Sequence, residues 1–214
     1  MGSRPHLTTS LIRSYDLVGE GITTAQEVSS NPATFDDLLV FHTRDYLDFL
    51  ARADEEDERD IEEQEEHGLG YDCPVLPDML KWVKVVGGAS LTAADHLLKG
   101  ANVSINWNGG WHHAHRDHAG GFCYVNDVVL AIHSLQKGFK RVLYIDLDVH
   151  HGDGVEEAFS CTSRVATLSL HLHEPGFFPG SGAASEVNLT KIRVRYNNFP
   201  PFQGWAWKRK GLCS

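Results

Sequence analysis

A short apolar run, Val142-Leu-Tyr-Ile145, leads straight into Asp146-Leu-Asp-Val-His-His-Gly-Asp-Gly154. An extended backbone sends successive side chains to opposite faces, so Asp146, Asp148 and His150 leave the strand end on one side. Two carboxylates and an imidazole on one face predict a metal site, and zinc accepts both ligand types. A strand ending in such a loop fits the α/β class, whose sites lie beyond the carboxyl ends of parallel strands.

The rest of the chain supports that class. Thr34-Phe-Asp-Asp37 reads as a capping box with Asp in the place of Glu or Gln. Thr43 reads as the cap of a second helix that turns Tyr46, Leu47, Phe49 and Leu50 to one face. The proline of Tyr71-Asp-Cys-Pro74 keeps Cys73 out of helix and predicts a turn. A long helix is predicted over 78–99, with Leu80, Val83, Leu91 and Leu98 on its apolar face and Gly100 as its left-handed stop. Residues 103–106 read as a short strand before a Gly- and His-rich loop over 108–121. A helix over 124–137, a strand over 142–145, a short helix over 155–159 and a strand over 165–170 complete the pattern. Strands alternating with helices predict a parallel sheet in three layers, with helices on both faces.

With 214 residues and 42% hydrophobic content, the chain suits one domain with one core. It contains no apolar run of about 18 residues, so no membrane span is predicted. The opening Met-Gly-Ser-Arg-Pro-His6 lacks the apolar centre of a secretory signal. Cys73, Cys123, Cys161 and Cys213 are scattered and read as reduced thiols. Cys123 in particular reads as a small buried residue, not a nucleophile.

The net charge is -10, and residues 54–66 alone hold ten acids against Arg59. That segment, within an acidic loop over 53–67, reads as solvated chain; a sharper reading makes it an acidic patch for basic peptides. Net acidity argues against nonspecific DNA binding. By contrast, residues 191–214 hold six basic residues and no acid.

The two histidine pairs, His112-His113 and His150-His151, carry the chemistry. Imidazole titrates near neutral pH, and a carboxylate on its far nitrogen fixes the tautomer and raises basicity. Asp146 and Asp153 are the carboxylates available for that work. A metal beside such a base makes a hydrolytic centre. His115, His118, His133, His171 and His173 read as surface or packing residues, and Phe177 as core or pocket wall.

Four motifs together resemble the zinc-dependent histone deacetylases, class I: Asn106-Trp-Asn-Gly-Gly-Trp-His-His113, Gly121-Phe-Cys-Tyr-Val-Asn-Asp127, Tyr144 through Gly154, and Pro175-Gly-Phe-Phe-Pro-Gly180. Gly68-Leu-Gly-Tyr-Asp-Cys-Pro74 adds to the match, which runs from about Leu7 to about Leu189. The resemblance implies an arginase/deacetylase-like fold and zinc-dependent hydrolysis of acetyl-lysine amides on histones and other proteins, in nucleus and cytoplasm. It implies that Asp148 and His150 bind zinc. It makes His112 and His113, backed by Asp146 and Asp153, the groups that position and activate water. Phe122 and Phe178 would wall the channel for the lysine stem, Gly121 would meet the lysine amide, and Asp72 would hold the substrate backbone. It also implies structural potassium at Asp146, Asp148, His150, Ser169 and Leu170, and a second ion at Phe159, Thr162 and Val165.

The family draws a third zinc ligand and a tyrosine from later loops that this sequence does not match. The expectation is therefore a partial catalytic domain over 1–189, incomplete at its C-terminal side, with a divergent basic tail over 190–214. Tyr196 sits in no motif, and Lys208-Arg-Lys210 is a minimal import signal. A weak or inactive chain that acts as a binding fragment, and a deacetylase for small acetylated polyamines, remain as alternatives. The class I motifs and Asp72 favour protein substrates.

Overall fold

The computed structural model describes residues 4–18, 25–53, 61–183 and 191–195. Its helices are α1 (Arg4–Ser14), α2 (Phe35–Leu38), α3 (Arg44–Arg52), α4 (Ile61–Glu66), α5 (Met79–Leu98), α6 (Asp127–Leu135) and α7 (Asp153–Ala158). Its strands are β1 (Val142–Asp146), β2 (Val165–His171) and β3 (Lys191–Arg195). The acidic run 54–60, Tyr196, the 208–210 cluster and Cys213 lie outside the described residues.

The caps form as the residue types dictate. The Thr34 hydroxyl accepts the Asp37 N–H while the Asp37 carboxylate accepts the Thr34 N–H, which closes a reciprocal box. The Thr43 hydroxyl accepts the Tyr46 N–H and starts α3. Tyr46, Leu47, Phe49 and Leu50 then bury together in a core shared with Leu38, Met79 and Val83. α5 ends before Gly100, which adopts the left-handed conformation with φ +99°.

The buried face of α5 differs from the expected one. Val83 is buried, and Leu80 and Leu91 pack partly on the core, but the rest of that face is Val86, Gly87, Gly88, Ser90 and Ala94. Small residues let a neighbouring helix approach closely, and α5 packs chiefly against α6. A search for large apolar residues misses such a face.

β1 and β2 pair in parallel from Val142↔Val165 to Asp146↔Ser169, and β3 adds in parallel to the other edge of β2. Val129 and Ile132 of α6, with Val155 and Phe159 in and after α7, cover the sheet face that bears Val142 and Tyr144. Leu143 and Ile145, which point the other way, are each more than half exposed, as are Leu147 and Val149 beyond them. The parallel α/β arrangement is present, with α6 and α7 over one face of the sheet, while among the described residues the other face bears exposed side chains.

Three local expectations need correction. Residues 103–106 form no strand; Val103 and Ile105 are exposed, and no neighbouring strand pairs with them among the described residues. The acidic segment read as loop contains α4, whose run of glutamates is helix-favouring. β3 falls in the stretch read only as tail. Its residues Lys-Ile-Arg-Val-Arg alternate with a two-residue period, a strand signal that the dominant basic charge obscured. No described helix is long and apolar enough to cross a membrane.

Candidate active site

Two short segments build the centre. The loop before α6 supplies His112 and His113, whose rings lie 4.0 Å apart. The end of β1 and the start of α7 supply the carboxylates. His112 Nδ1 donates to Asp146 Oδ2 at 2.6 Å, and His113 Nδ1 donates to Asp153 Oδ1 at 2.8 Å. Each carboxylate only accepts, so in the neutral imidazole each Nε2 is left with its lone pair. Both rings are buried.

The electrostatics follow from this pairing. Burial alone would push the Asp146 carboxyl up, but His112 and the Tyr144 hydroxyl, which donates to Oδ2 at 2.6 Å, hold it below the usual carboxylate range. The Asp148 N–H donates to Asp146 Oδ1 as well. For His112, burial works downward and the Asp146 carboxylate outweighs it, so its pKa is raised. Burial also disfavours the charged form of Asp153, yet His113 and His115 hold its carboxyl well below normal. His115 sits 3.6 Å from Asp153 Oδ2, donates to Glu157 at 2.7 Å, and has its pKa raised first by Asp153. His115, expected at the surface or in packing, is instead drawn into the site. Its contact across 38 residues with the carboxylate behind His113 left no local signal.

Asp148 and His150 stand beside this pair. Asp148 Oδ1 accepts from the His150 backbone N–H at 2.8 Å and lies 3.0 Å from His150 Nδ1. His112 Nε2 is 4.0 Å from the same oxygen. Two donor atoms on one tetrahedral zinc, each at about 2.1 Å, sit roughly 3.4 Å apart, so this oxygen–nitrogen pair suits a shared ion. Among the described residues no group of three His, Cys, Asp or Glu side chains forms a metal cage. Asp148 and His150 are two groups that could hold a metal, one fewer than the three protein ligands that catalytic zinc commonly takes.

An aromatic wall flanks the imidazoles. Phe178 stands edge-on to His113 with ring centroids 4.8 Å apart, and Phe177 stacks on His150 at 5.1 Å with an interplanar angle of 9°. Phe177, read as core or wall, is therefore placed beside the candidate zinc ligand. Gly121 completes the corner. A Cβ there would lie 2.5 Å from His113 Cδ2 and 2.9 Å from Phe178, and its φ is +52°, so only glycine fits without displacing the ring. The neighbouring Phe122 is largely exposed. Asp72 Oδ2 accepts the Gly121 N–H at 2.9 Å and ties the 71–74 turn to this corner.

The histidine loop is held from below by Asp127 and Asn126, which carry no expected role from the sequence. Asp127, fully buried at the start of α6, accepts from Ser90 at 2.5 Å, from the Trp111 N–H at 2.8 Å and from the Gly110 N–H at 3.2 Å. Asn126 caps α6 through its side-chain oxygen and donates its amide to the carbonyls of His112 and Ala114. The Asn126 N–H in turn donates to His42 Nε2. An Asn-Asp pair ahead of an apolar run is a helix-start signal, and that was the available clue.

Of the remaining predicted positions, Ser169 lies opposite Asp146 in the sheet, with Leu170 next to it. Val165 starts β2, and the Thr162 N–H donates to the Phe159 carbonyl just after α7. His133 lies against Phe159, and His118 stacks on His115 at 4.4 Å. Cys73 and Cys123 are buried, and burial pushes both thiols up to about 12, which makes them poor nucleophiles.

The histone deacetylase domain profile matches residues 3–204. The chain is 48% identical to histone deacetylase 8 of Xenopus tropicalis over 198 residues, which covers 92% of this chain and 53% of that protein. It is 46% identical to histone deacetylase 8 of Danio rerio over 199 residues, covering 92% of this chain and 52% of that protein. It is 42% identical to histone deacetylase B of Dictyostelium discoideum over 207 residues, covering 94% and 48% respectively. The chain spans about half the length of the curated relatives it matches.

Proposed function

Because this chain belongs to the histone deacetylase family, we propose that its paired imidazoles serve hydrolysis of the acetyl amide on acetyl-lysine side chains of histones and other proteins. One observation carries this reading. Two adjacent histidines, 4.0 Å apart, are each backed by their own carboxylate beside an Asp–His donor pair. That arrangement suits moving protons to and from water next to a metal.

Asp148 and His150 are the residues that would hold zinc. When bound, zinc supplies Lewis acidity toward the amide carbonyl and acidifies water. The chain's own groups do the rest. His112 and His113 keep their Nδ1 protons on Asp146 and Asp153, which leaves Nε2 to take a proton from water and return one to the leaving amine. Phe122 and Phe178 would flank the aliphatic stem, Gly121 would meet the lysine amide, and Asp72 would hold the peptide backbone. The same reading places potassium at Asp146, Asp148, His150, Ser169 and Leu170, and a second ion at Phe159, Thr162 and Val165. The strand register supports the first set by putting Ser169 opposite Asp146. A nuclear and cytoplasmic location and acidic-patch attraction of basic tails belong to this proposal too.

Zinc titration calorimetry on the purified chain, with turnover of an acetyl-lysine peptide, tests it. Asp148→Ala and His150→Ala should abolish zinc uptake. His113→Ala should keep zinc and reduce turnover by about 10²-fold or more. A parent chain that takes up no zinc and leaves the peptide intact would sink the reading, as would a His113→Ala variant as active as its parent.

A further inference from the structure

Three imidazoles outside the catalytic pair converge on two residues, Ser181 and Gly182. His151 Nε2 meets Glu156 Oε2 at 3.2 Å, and its Nδ1 meets the Ser181 hydroxyl at 2.9 Å. His171 Nε2 meets the Gly182 carbonyl at 3.1 Å, and its Nδ1 meets the Ser169 hydroxyl at 2.9 Å. His173 Nδ1 meets the Ser181 carbonyl at 3.3 Å. The His151 and His171 rings are 4.6 Å apart, and each residue is 1% exposed.

The acceptors fix the protons. Glu156 accepts, so His151 carries its proton on Nε2, and Nδ1 accepts from the Ser181 hydroxyl. The Gly182 carbonyl accepts, so His171 carries its proton on Nε2, and Nδ1 accepts from Ser169. These four bonds then each pair one donor with one acceptor. Gly182 lies against the two rings: a Cβ there would come within 2.4 Å of His171 Nε2 and 2.8 Å of His151 Cγ. Buried imidazoles this well matched hold a segment in one place.

The segment they hold carries the aromatic wall. Ser181 lies three residues beyond Phe178, and His151 directly follows His150 in the chain. The rings of Phe177 and Phe178 touch His150 and His113. The anchor at the other side is Glu156, in the helix that begins with Asp153.

We propose that His151, braced by Glu156, is a positioning residue: it clasps the Ser181–Gly182 segment and thereby sets Phe177 and Phe178 against His150 and His113. This rests on the function proposed above only where the wall is read as the lining of an acyl-lysine channel. The clasp acts on fit of the side chain, not on proton transfer.

Ser181→Ala removes the hydroxyl and leaves the packing, and Ser181→Thr restores it. Amide hydrogen exchange across 174–180 should quicken about tenfold in Ser181→Ala, the order of one lost buried hydrogen bond. Exchange in α5 should stay within about twofold, and Ser181→Thr should return the loop to parental rates. With an acetyl-lysine peptide, Ser181→Ala should raise KM several-fold and leave kcat within about twofold. Unchanged exchange in 174–180, an equal rise in α5, or failure of Ser181→Thr to restore it overturns the clasp. A fall in kcat at constant KM overturns the positioning role. A parent chain without turnover counts against the function proposed above and leaves the exchange arm decisive for the clasp.

Discussion

Asp153 serves two imidazoles, with His113 on Oδ1 and His115 near Oδ2. A carboxylate beside an imidazole stabilises the charged form, and for His115 it is the leading cause of a raised pKa. Asp153→Asn should therefore lower the His115 titration midpoint, read by long-range proton–nitrogen NMR of the imidazoles. Glu157→Gln should lower it less, because Glu157 is the smaller contributor. A midpoint unmoved by Asp153→Asn would show that Glu157 alone governs His115. At this scale the sequence was informative where a motif was contiguous. Asp146, Asp148, His150 and Asp153 fall within eight residues, and their alternation and loop position were readable directly. The tasks of His115, His151, Asp127 and Ser181 depend on partners tens of residues away, which no local periodicity encodes.

Helix α6 shows how elements hold the site. Its cap, Asn126, reaches the carbonyls of His112 and Ala114 and leans on His42 through its own N–H. His42 must stay neutral to accept that bond. Burial drives its pKa down to about 4. In the unfolded chain it titrates near the ordinary 6.5. The folded value is the depressed one, so its contribution to stability is complete above about pH 6.5. It is lost as pH falls toward about 4, on the order of 2–3 kcal/mol. Urea midpoints measured across that window should fall, and His42→Gln, which keeps an acceptor without the charge, should flatten the fall. An equally steep loss in His42→Gln would assign it to other groups. The elements themselves were largely legible: both threonine caps, α5, α6, β1, α7 and β2 lie where apolar period and cap chemistry put them. Their buried faces were less so, since small residues on α5 carry no hydrophobic signal although they allow the α5–α6 approach.

At the scale of the whole molecule, the described sheet has two unlike faces. Val142 and Tyr144 pack under α6 and α7, while Leu143, Ile145, Leu147 and Val149 form an exposed apolar row. Rows of this kind favour association in water. The chain should bind a hydrophobic dye and self-associate with rising concentration. Leu143→Thr with Ile145→Thr should reduce both effects in light scattering while changing the melting temperature little, because each side chain is more than half exposed. Scattering that is the same before and after the exchange would point to a different surface. The two imidazole–carboxylate pairs are sewn from two stretches of chain, one bringing both imidazoles and the other both carboxylates. A rigid shift between those stretches would break both hydrogen-bonded pairs in a single motion. Whatever alters how α7 seats against the histidine loop therefore strikes both imidazoles together.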